Sequence, residues 1–128
     1  MLSLTVRNVR LVADTDNYAV RDSNVYRAGE PIHITCQILG HGLEEAGDSY
    51  RTSISTDFMV ADEAGNVLGG KKDFYTFNHV SPIPMVDFTL DLTYTLTGAE
   101  EGKYKLQTII KDEYSSRSTG FETVIQIR

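Results

Sequence analysis

The apolar residues of this chain recur mostly at every second position, which is the pattern of half-buried β-strands. The clearest run covers residues 86–97, where Val86, Phe88 and Leu90 begin an apolar series that alternates with aspartate and threonine. In a helix these apolar residues would spread around the whole cylinder, so the run predicts a strand with all of them on one buried face. Six further runs predict strands at residues 2–12, 32–38, 50–60, 67–77, 104–110 and 121–127.

Turn residues separate these runs at the spacing expected of an all-β domain. The alternation slips at Asn8, so we expect a bulge there, and the glycines at positions 69 and 70 indicate either a bulge or a late start of the strand. Tyr104 follows a glycine-containing turn, where sandwich domains place a tyrosine whose hydroxyl bonds back to the preceding corner; the alternative is an ordinary inward aromatic. The pattern predicts one domain, residues 1–128, with a seven-stranded antiparallel immunoglobulin-like β-sandwich fold.

Composition narrows the classes of partner. The chain has 128 residues, the size of one domain, and its 12 basic and 18 acidic residues give a net charge of −6. This sign disfavours nucleic acid and anionic membrane surfaces as partners. No apolar run reaches the length of a membrane span, and no signal-peptide pattern follows Met1, which predicts a cytoplasmic location if Met1 is the native start.

Three segments carry a family resemblance. Residues 26–34 read YRAGEPIHI, residues 58–68 read FMVADEAGNVL and residues 102–112 read GKYKLQTIIKD. They resemble the second strand, the hairpin and the sixth strand of bacterial immunoglobulin-like and fibronectin-III-like β-sandwich modules, and together they span most of the chain. The resemblance implies an extracytoplasmic module, periplasmic or secreted, that is often attached to a larger protein. It brings no functional residues with it.

Acidic side chains gather in the loops predicted at one end of the sandwich, at residues 13–24, 62–66 and 98–102. Calcium binds six to eight oxygen ligands, so several carboxylates at one end form a candidate calcium site. The first loop departs from the EF-hand pattern because Ala19 stands where a glycine is required. The alternative is that these carboxylates are ordinary solvent-exposed charges of loops and bind no metal. The candidate ligands are Asp14, Asp16, Asp62, Glu63, Glu100 and Glu101.

Catalytic patterns are absent from the sequence, so we predict no enzyme activity and no cofactor other than the candidate calcium. Cys36 is the only cysteine and cannot form an internal disulfide. Its position in the alternation predicts an inward, unreactive thiol, while His33 should point outward. His41, His79 and Met85 are expected at one end of the sandwich and form a weaker candidate copper site.

A non-catalytic interaction module, of the protein-binding or adhesion type, is the function that these observations favour. Its partner would be another protein or a second copy, bound at an edge strand, with residues 2–12 and 121–128 as the expected edges. Arg7, Arg10 and Arg128 would partly protect those edges from unwanted pairing. Two alternatives stay open: a β-barrel closed around a small ligand, and a carbohydrate-binding sandwich that uses exposed tyrosines at 18, 75 and 114.

Overall fold

The computed structural model describes residues 4–13 and 19–128, which fold into β-strands and contain no helix. Nine strands follow one another along these residues. Their bounds are β1 (Thr5–Val12), β2 (Val25–Tyr26), β3 (Ile32–Leu39), β4 (Glu44–Ala46), β5 (Ser49–Asp62), β6 (Val67–Ser81), β7 (Asp87–Tyr94), β8 (Gly102–Asp112) and β9 (Ser118–Ile127).

The strands form two sheets. The small sheet has the order β1-β3-β7, and the large sheet has the order β2-β9-β8-β5-β4, with β6 paired to β5. Every pairing is antiparallel except that of β2 with β9. The predicted all-β class is confirmed, and each of the seven predicted strands falls on one of the seven longer strands. The count of seven was too low, because β2 and β4 have only two and three residues and cannot show an alternation.

The core lies between the inward faces of the two sheets, as the alternation predicts. Cys36 is 1% exposed and pairs across the sheet with Leu90, and Phe88 lies on the same side as Leu90. The predicted orientation of these side chains is therefore confirmed. The largest fully buried side chains are those of Tyr26, Tyr94, Ile32, Ile34, Ile38, Ile54, Leu90, Leu92, Leu106, Ile110, Ile125 and Ile127.

The alternation over residues 86–97 overstates the length of β7 at both ends. Val86 was predicted to be buried, but it is 72% exposed and precedes the strand. The neighbouring strand explains this, because β3 ends at Leu39 opposite Asp87 and leaves Val86 without a cross-strand neighbour. At the other end β7 stops at Tyr94, where Ile32, the first residue of β3, is its partner.

The bulge predicted at Asn8 is present, and of the two alternatives for Tyr104 the structure has the hydrogen bond to the preceding corner. The β1–β3 register shifts between Arg7 and Arg10, where Asn8 has a φ of 56°, a left-handed conformation that asparagine tolerates better than most residues. The Tyr104 hydroxyl donates a hydrogen bond to the Glu100 carbonyl at 2.6 Å. This bond joins the start of β8 to the preceding turn.

Tyr26 has a buried hydroxyl that finds no hydrogen-bond partner among the described residues. The Arg21 guanidinium lies 4.0 Å from the centre of its ring, and burial raises the pKa of the hydroxyl. An unsatisfied buried polar group costs about 1–3 kcal/mol, so the Tyr26→Phe variant should be more stable by about 1 kcal/mol in urea unfolding.

Tyr94 provides the matched control for this variant. Its hydroxyl is equally buried but lies 2.8 Å from the Thr108 hydroxyl oxygen, so the hydrogen bond is made. Tyr94→Phe should therefore lower the free energy of unfolding by about 1 kcal/mol. Equal destabilisation by Tyr26→Phe and Tyr94→Phe would show that the Tyr26 hydroxyl does have a partner.

Candidate interaction surface on the large sheet

Strand β6 forms an outer edge of the large sheet. It has 15 residues and, within the described part of the chain, pairs with β5 alone. Most of its side chains are exposed, including Val67, Leu68, Tyr75 and Val80. An edge strand presents a row of unpaired backbone N–H and C=O groups, to which another extended chain can bind.

Two irregularities shape this edge. The register with β5 shifts between Val60 and Ala61, where Leu68 is the extra residue of β6. Of the two alternatives for the glycines, the structure therefore has the bulge and not a late start of the strand. A second shift lies opposite Asp57, at residues 72–74 of β6. There Asp73 has a φ of 50°, and its amide donates a hydrogen bond of 2.9 Å to the Asp57 carboxylate.

The second bulge is held by a network of three charges. The Lys111 ammonium lies 3.0 Å from the Asp57 carboxylate and 3.1 Å from that of Asp73. The Asp73 amide, followed by Lys111, lowers the pKa of Asp57, and bonds to both carboxylates raise the pKa of Lys111. Asp57 and Lys111 are therefore charged near neutral pH, and Lys111 links β8 to β6 across β5.

Beside this network the outer face of the large sheet has an apolar groove of about 410 Å³. Met59, Val67 and Ile109 line it, and their side chains are 38%, 62% and 38% exposed. Gly70 pairs with Met59 at the side of the groove nearest the edge. A Cβ at position 70 would lie 2.3 Å from the Phe58 carbonyl oxygen, so no side chain of β6 can occupy this place.

Two of the five lysines of the chain line this groove. All five belong to β6 or β8, although the protein as a whole carries a net charge of −6. Lys71 and Lys72 are exposed, line the groove, and form no ion pair within the described residues. This basic face was missed from the sequence, although the alternation of Lys103 and Lys105 with buried residues of β8 is a signal that could have indicated it. The groove itself depends on tertiary pairing.

At one end of the sandwich, Asp112 joins two loops. Its side chain is fully buried and accepts hydrogen bonds from the Gly42 amide (2.5 Å), the Tyr114 amide (3.1 Å) and the Ser115 hydroxyl (2.5 Å). Arg117 donates to the Gly40 carbonyl at 2.7 Å. These bonds bring together the loops after β3 and β8, and the three donors to the Asp112 carboxylate indicate a structural role.

The calcium hypothesis is only partly covered by the described residues, because Asp14 and Asp16 lie outside them. Both carboxylate oxygens of Asp62 bond to Asn66, at 2.9 Å to its amide and 3.1 Å to its side chain, and these bonds lower the pKa of Asp62. Within residues 4–13 and 19–128 no three acidic, histidine or cysteine side chains are grouped as metal ligands. Three further candidates, Glu63, Glu100 and Glu101, are exposed.

Calcium binding therefore stays a prediction with a direct test. If the acidic loops bind Ca²⁺, millimolar calcium should raise the melting temperature, because a ligand that binds only the native state stabilises it. Magnesium at the same concentration is the control, since it prefers a smaller, octahedral site. A melting curve that calcium leaves unchanged would contradict the hypothesis.

Cys36 and His33 differ in their surroundings, whereas His41 and His79 pack on the same pair of aromatic rings. Burial, followed by the charge of Asp91, raises the pKa of the Cys36 thiol to about 12, so the thiol is unreactive as predicted. Outward-facing His33 lies 3.0 Å from the Thr93 hydroxyl. The rings of His41 and His79 pack on the stacked pair of Phe88 and Phe77, with centroid distances of 5.1 Å and 5.9 Å, respectively.

The two strands expected to be sheet edges differ in whether another strand pairs with their outer side. Strand β1 is an edge of the small sheet, as predicted. Strand β9 is bounded by β8 on one side, and β2 pairs with it at Gln126 and Ile127 on the other, so its final residues are not a free edge. The hydrogen-bonded strands belong to two separate sheets rather than to one closed barrel within the described residues.

The fold and this surface define an all-β protein of two sheets with a long, basic edge strand. No known protein family matches the chain, and no curated protein matches it. Among solved structures, it is similar to the sporulation control protein Spo0M from Bacillus subtilis (TM-score 0.48, 11% identity), covering 100% of this chain and 50% of that one. This chain thus spans about half the length of that protein.

Two other solved structures are similar at a lower level. A conjugative transposon lipoprotein from Bacteroides eggerthii has a TM-score of 0.39 and 12% identity, with 96% of this chain and 94% of that one covered. A superoxide reductase (neelaredoxin) from Ignicoccus hospitalis has a TM-score of 0.35 and 14% identity, with coverages of 96% and 80%. Likenesses at this level do not define a family or a function. The described residues include no helix long and apolar enough to cross a membrane.

Proposed function

We propose that this protein is a non-catalytic binding module of immunoglobulin-like topology, which adds an extended segment of another protein chain to its strand β6. Support for the topology comes from the strand orders, β1-β3-β7 in one sheet and β9-β8-β5-β6 in the other. An immunoglobulin-like sandwich that carries an extra strand beside its third strand has these neighbours.

The observation that carries the binding proposal is the long open edge of β6. Strands β1 and β7 are also edges, but each has eight residues, about half the length of β6. In addition, β1 carries a bulge with arginines on both sides, and β7 carries exposed Asp87. Bulges and charges protect edges from pairing. Residues 74–81 of β6 contain no aspartate, glutamate, lysine or arginine, so this part of the edge lacks such protection.

If a segment adds to β6 as a further strand, main-chain hydrogen bonds would supply the affinity for that segment. Grooves that accept its side chains would supply the specificity. A second copy of the chain is the other partner that an open edge allows. Two copies would each bring a net charge of −6. Their mutual repulsion opposes association, which makes a different protein the better-matched partner.

A display library of random ten-residue peptides tests the proposal without a known partner. We expect selected peptides to slow hydrogen exchange of alternate backbone amides in β6, because those amides face solvent in the free protein. The controls are two versions of each selected peptide, one N-methylated at its odd positions and one at its even positions. Only one of these versions should lose binding, because only one set of alternate N–H groups points at β6.

Two results would count against the proposal. Selected peptides that protect β1 or the loops, with β6 amides unchanged, would place binding elsewhere. Sedimentation that shows a concentration-dependent dimer with protected β6 amides would replace a different protein with a second copy as the partner.

A further inference from the structure

We propose that the segment added to β6 carries a long apolar side chain beside acidic residues, with the apolar side chain in the groove over Met59 and Ile109 and the acidic ones at Lys71 and Lys72. This inference rests on the proposed function, because it names the chemistry of the chain that β6 would bind.

The groove lies where a bound strand would place a side chain. Neighbouring strands in a sheet are about 4.8 Å apart, so an added strand would lie about 10 Å from β5 on the far side of β6. Next to its outward side chain, Gly70 has no side chain of its own to block the way to the groove. A leucine, methionine or phenylalanine at that place can lean across Gly70 and reach the Met59 side chain.

The walls of the groove are built into the fold. Gly70 is excluded from carrying a side chain by the Phe58 carbonyl oxygen, 2.3 Å from where its Cβ would be. Asp57 is bound to Lys111, so its charge is compensated beside the apolar residues. Met59 and Ile109 are each 38% exposed, and an apolar ligand atom that covers them removes that surface from water.

The positive charge of Lys71 and Lys72 on β6 indicates which residues should flank the apolar side chain of the bound segment. Lys71 and Lys72 are exposed next to the groove, and neither has an ion pair with a described residue. Opposite charges across a binding surface speed association and select among partners. Acidic residues on the bound strand would meet these two ammonium groups.

The same charges disfavour a second copy as the occupant. Strand β6 of another molecule would bring its own Lys71 and Lys72 to the edge. Its only carboxylate, that of Asp73, is already bound to Lys111. A partner with its own acidic residues therefore fits this edge better than β6 itself does.

Four matched peptides test the inference on the full chain. The reference is a ten-residue peptide of alternating threonine and valine with a central leucine between two glutamates. In the second peptide alanine replaces the leucine, and in the third lysines replace the two glutamates. The fourth is N-methylated at the alternate positions whose N–H groups would point at β6. Affinities are measured by fluorescence anisotropy at 50 mM and 500 mM salt, and β6 protection by hydrogen exchange.

We expect the alanine peptide to bind about tenfold more weakly, because it loses the apolar anchor. The lysine peptide should also bind about tenfold more weakly at 50 mM salt, with a smaller difference at 500 mM, since salt screens exposed charges. Ile109→Ser should weaken the reference peptide about tenfold, whereas Val124→Ser, exposed on the same face but outside the groove, should not change it.

A charge-reversal pair completes the design. Lys71→Glu with Lys72→Glu should weaken the reference peptide and favour the lysine peptide, whereas Arg10→Glu with Arg27→Glu makes the same change of charge at exposed positions away from β6. If all unmethylated peptides protect β6 equally and the variants have no effect, the inference fails and the proposed function stands. If no peptide protects β6, both fail.

Discussion

Replacing Asp112 with alanine is expected to lower the free energy of unfolding by about 3–5 kcal/mol, measured by urea denaturation. The buried carboxylate accepts hydrogen bonds from two backbone amides, of Gly42 and Tyr114, and from the Ser115 hydroxyl. Alanine would leave these donors without their acceptor, and each unsatisfied buried group costs about 1–3 kcal/mol. The loss would separate the loop after β3 from the turn after β8.

Asp62→Ala is the matched control for this substitution. Asp62 also accepts hydrogen bonds, from the amide and the side chain of Asn66, but its carboxylate lies in an exposed turn where water can replace the lost acceptor. We expect Asp62→Ala to lower the free energy of unfolding much less than Asp112→Ala does. Similar losses in the two variants would mean that burial of Asp112 does not set the strength of its hydrogen bonds.

Gly70→Ala is expected to destabilise the protein by about 1–3 kcal/mol, because an added methyl group must displace a backbone atom. The new Cβ would lie 2.3 Å from the Phe58 carbonyl oxygen and 3.0 Å from the Met59 side chain. Strand β6 is held on one side only, so the clash should be relieved by loosening of β6 from β5. Hydrogen exchange should therefore quicken in β6 before it does in β8.

The neighbouring glycine gives the control with the same chemical change. A Cβ at Gly69 would meet nothing within 4 Å, and its backbone has no positive φ. Gly69→Ala should change stability by less than about 1 kcal/mol, with a small gain expected from a less flexible unfolded chain. An effect of Gly69→Ala as large as that of Gly70→Ala would rule out the clash as the cause.

The face of each strand was predictable because side-chain direction in an extended chain depends only on position parity. Cys36 and Leu90 were placed inward by this rule and are buried. The rule weakened in β6, whose two bulges break the alternation around Gly69 and Asp73. It also placed Val86 inward, since parity cannot tell where a neighbouring strand ends.

The candidate surface was less accessible to sequence reasoning than the fold. The glycines at 69 and 70 indicated the bulge as one of two alternatives, and the lysines of β8 alternate with its buried residues. No local pattern, however, indicates that Gly70 lies beside Met59, or that Lys111 reaches Asp57 and Asp73 on two other strands. Those pairs lie far apart in the chain.

By itself, the sequence determined that the chain forms strands, which residues of most strands are buried, and where the turns fall. These properties follow from steric and hydrophobic preferences over a few neighbouring residues. Only the tertiary structure decided the order of strands, and with it the edge position of β6, the groove over Met59 and the burial of Asp112. Strand order depends on which distant segments exchange hydrogen bonds, and many pairings satisfy the same alternation.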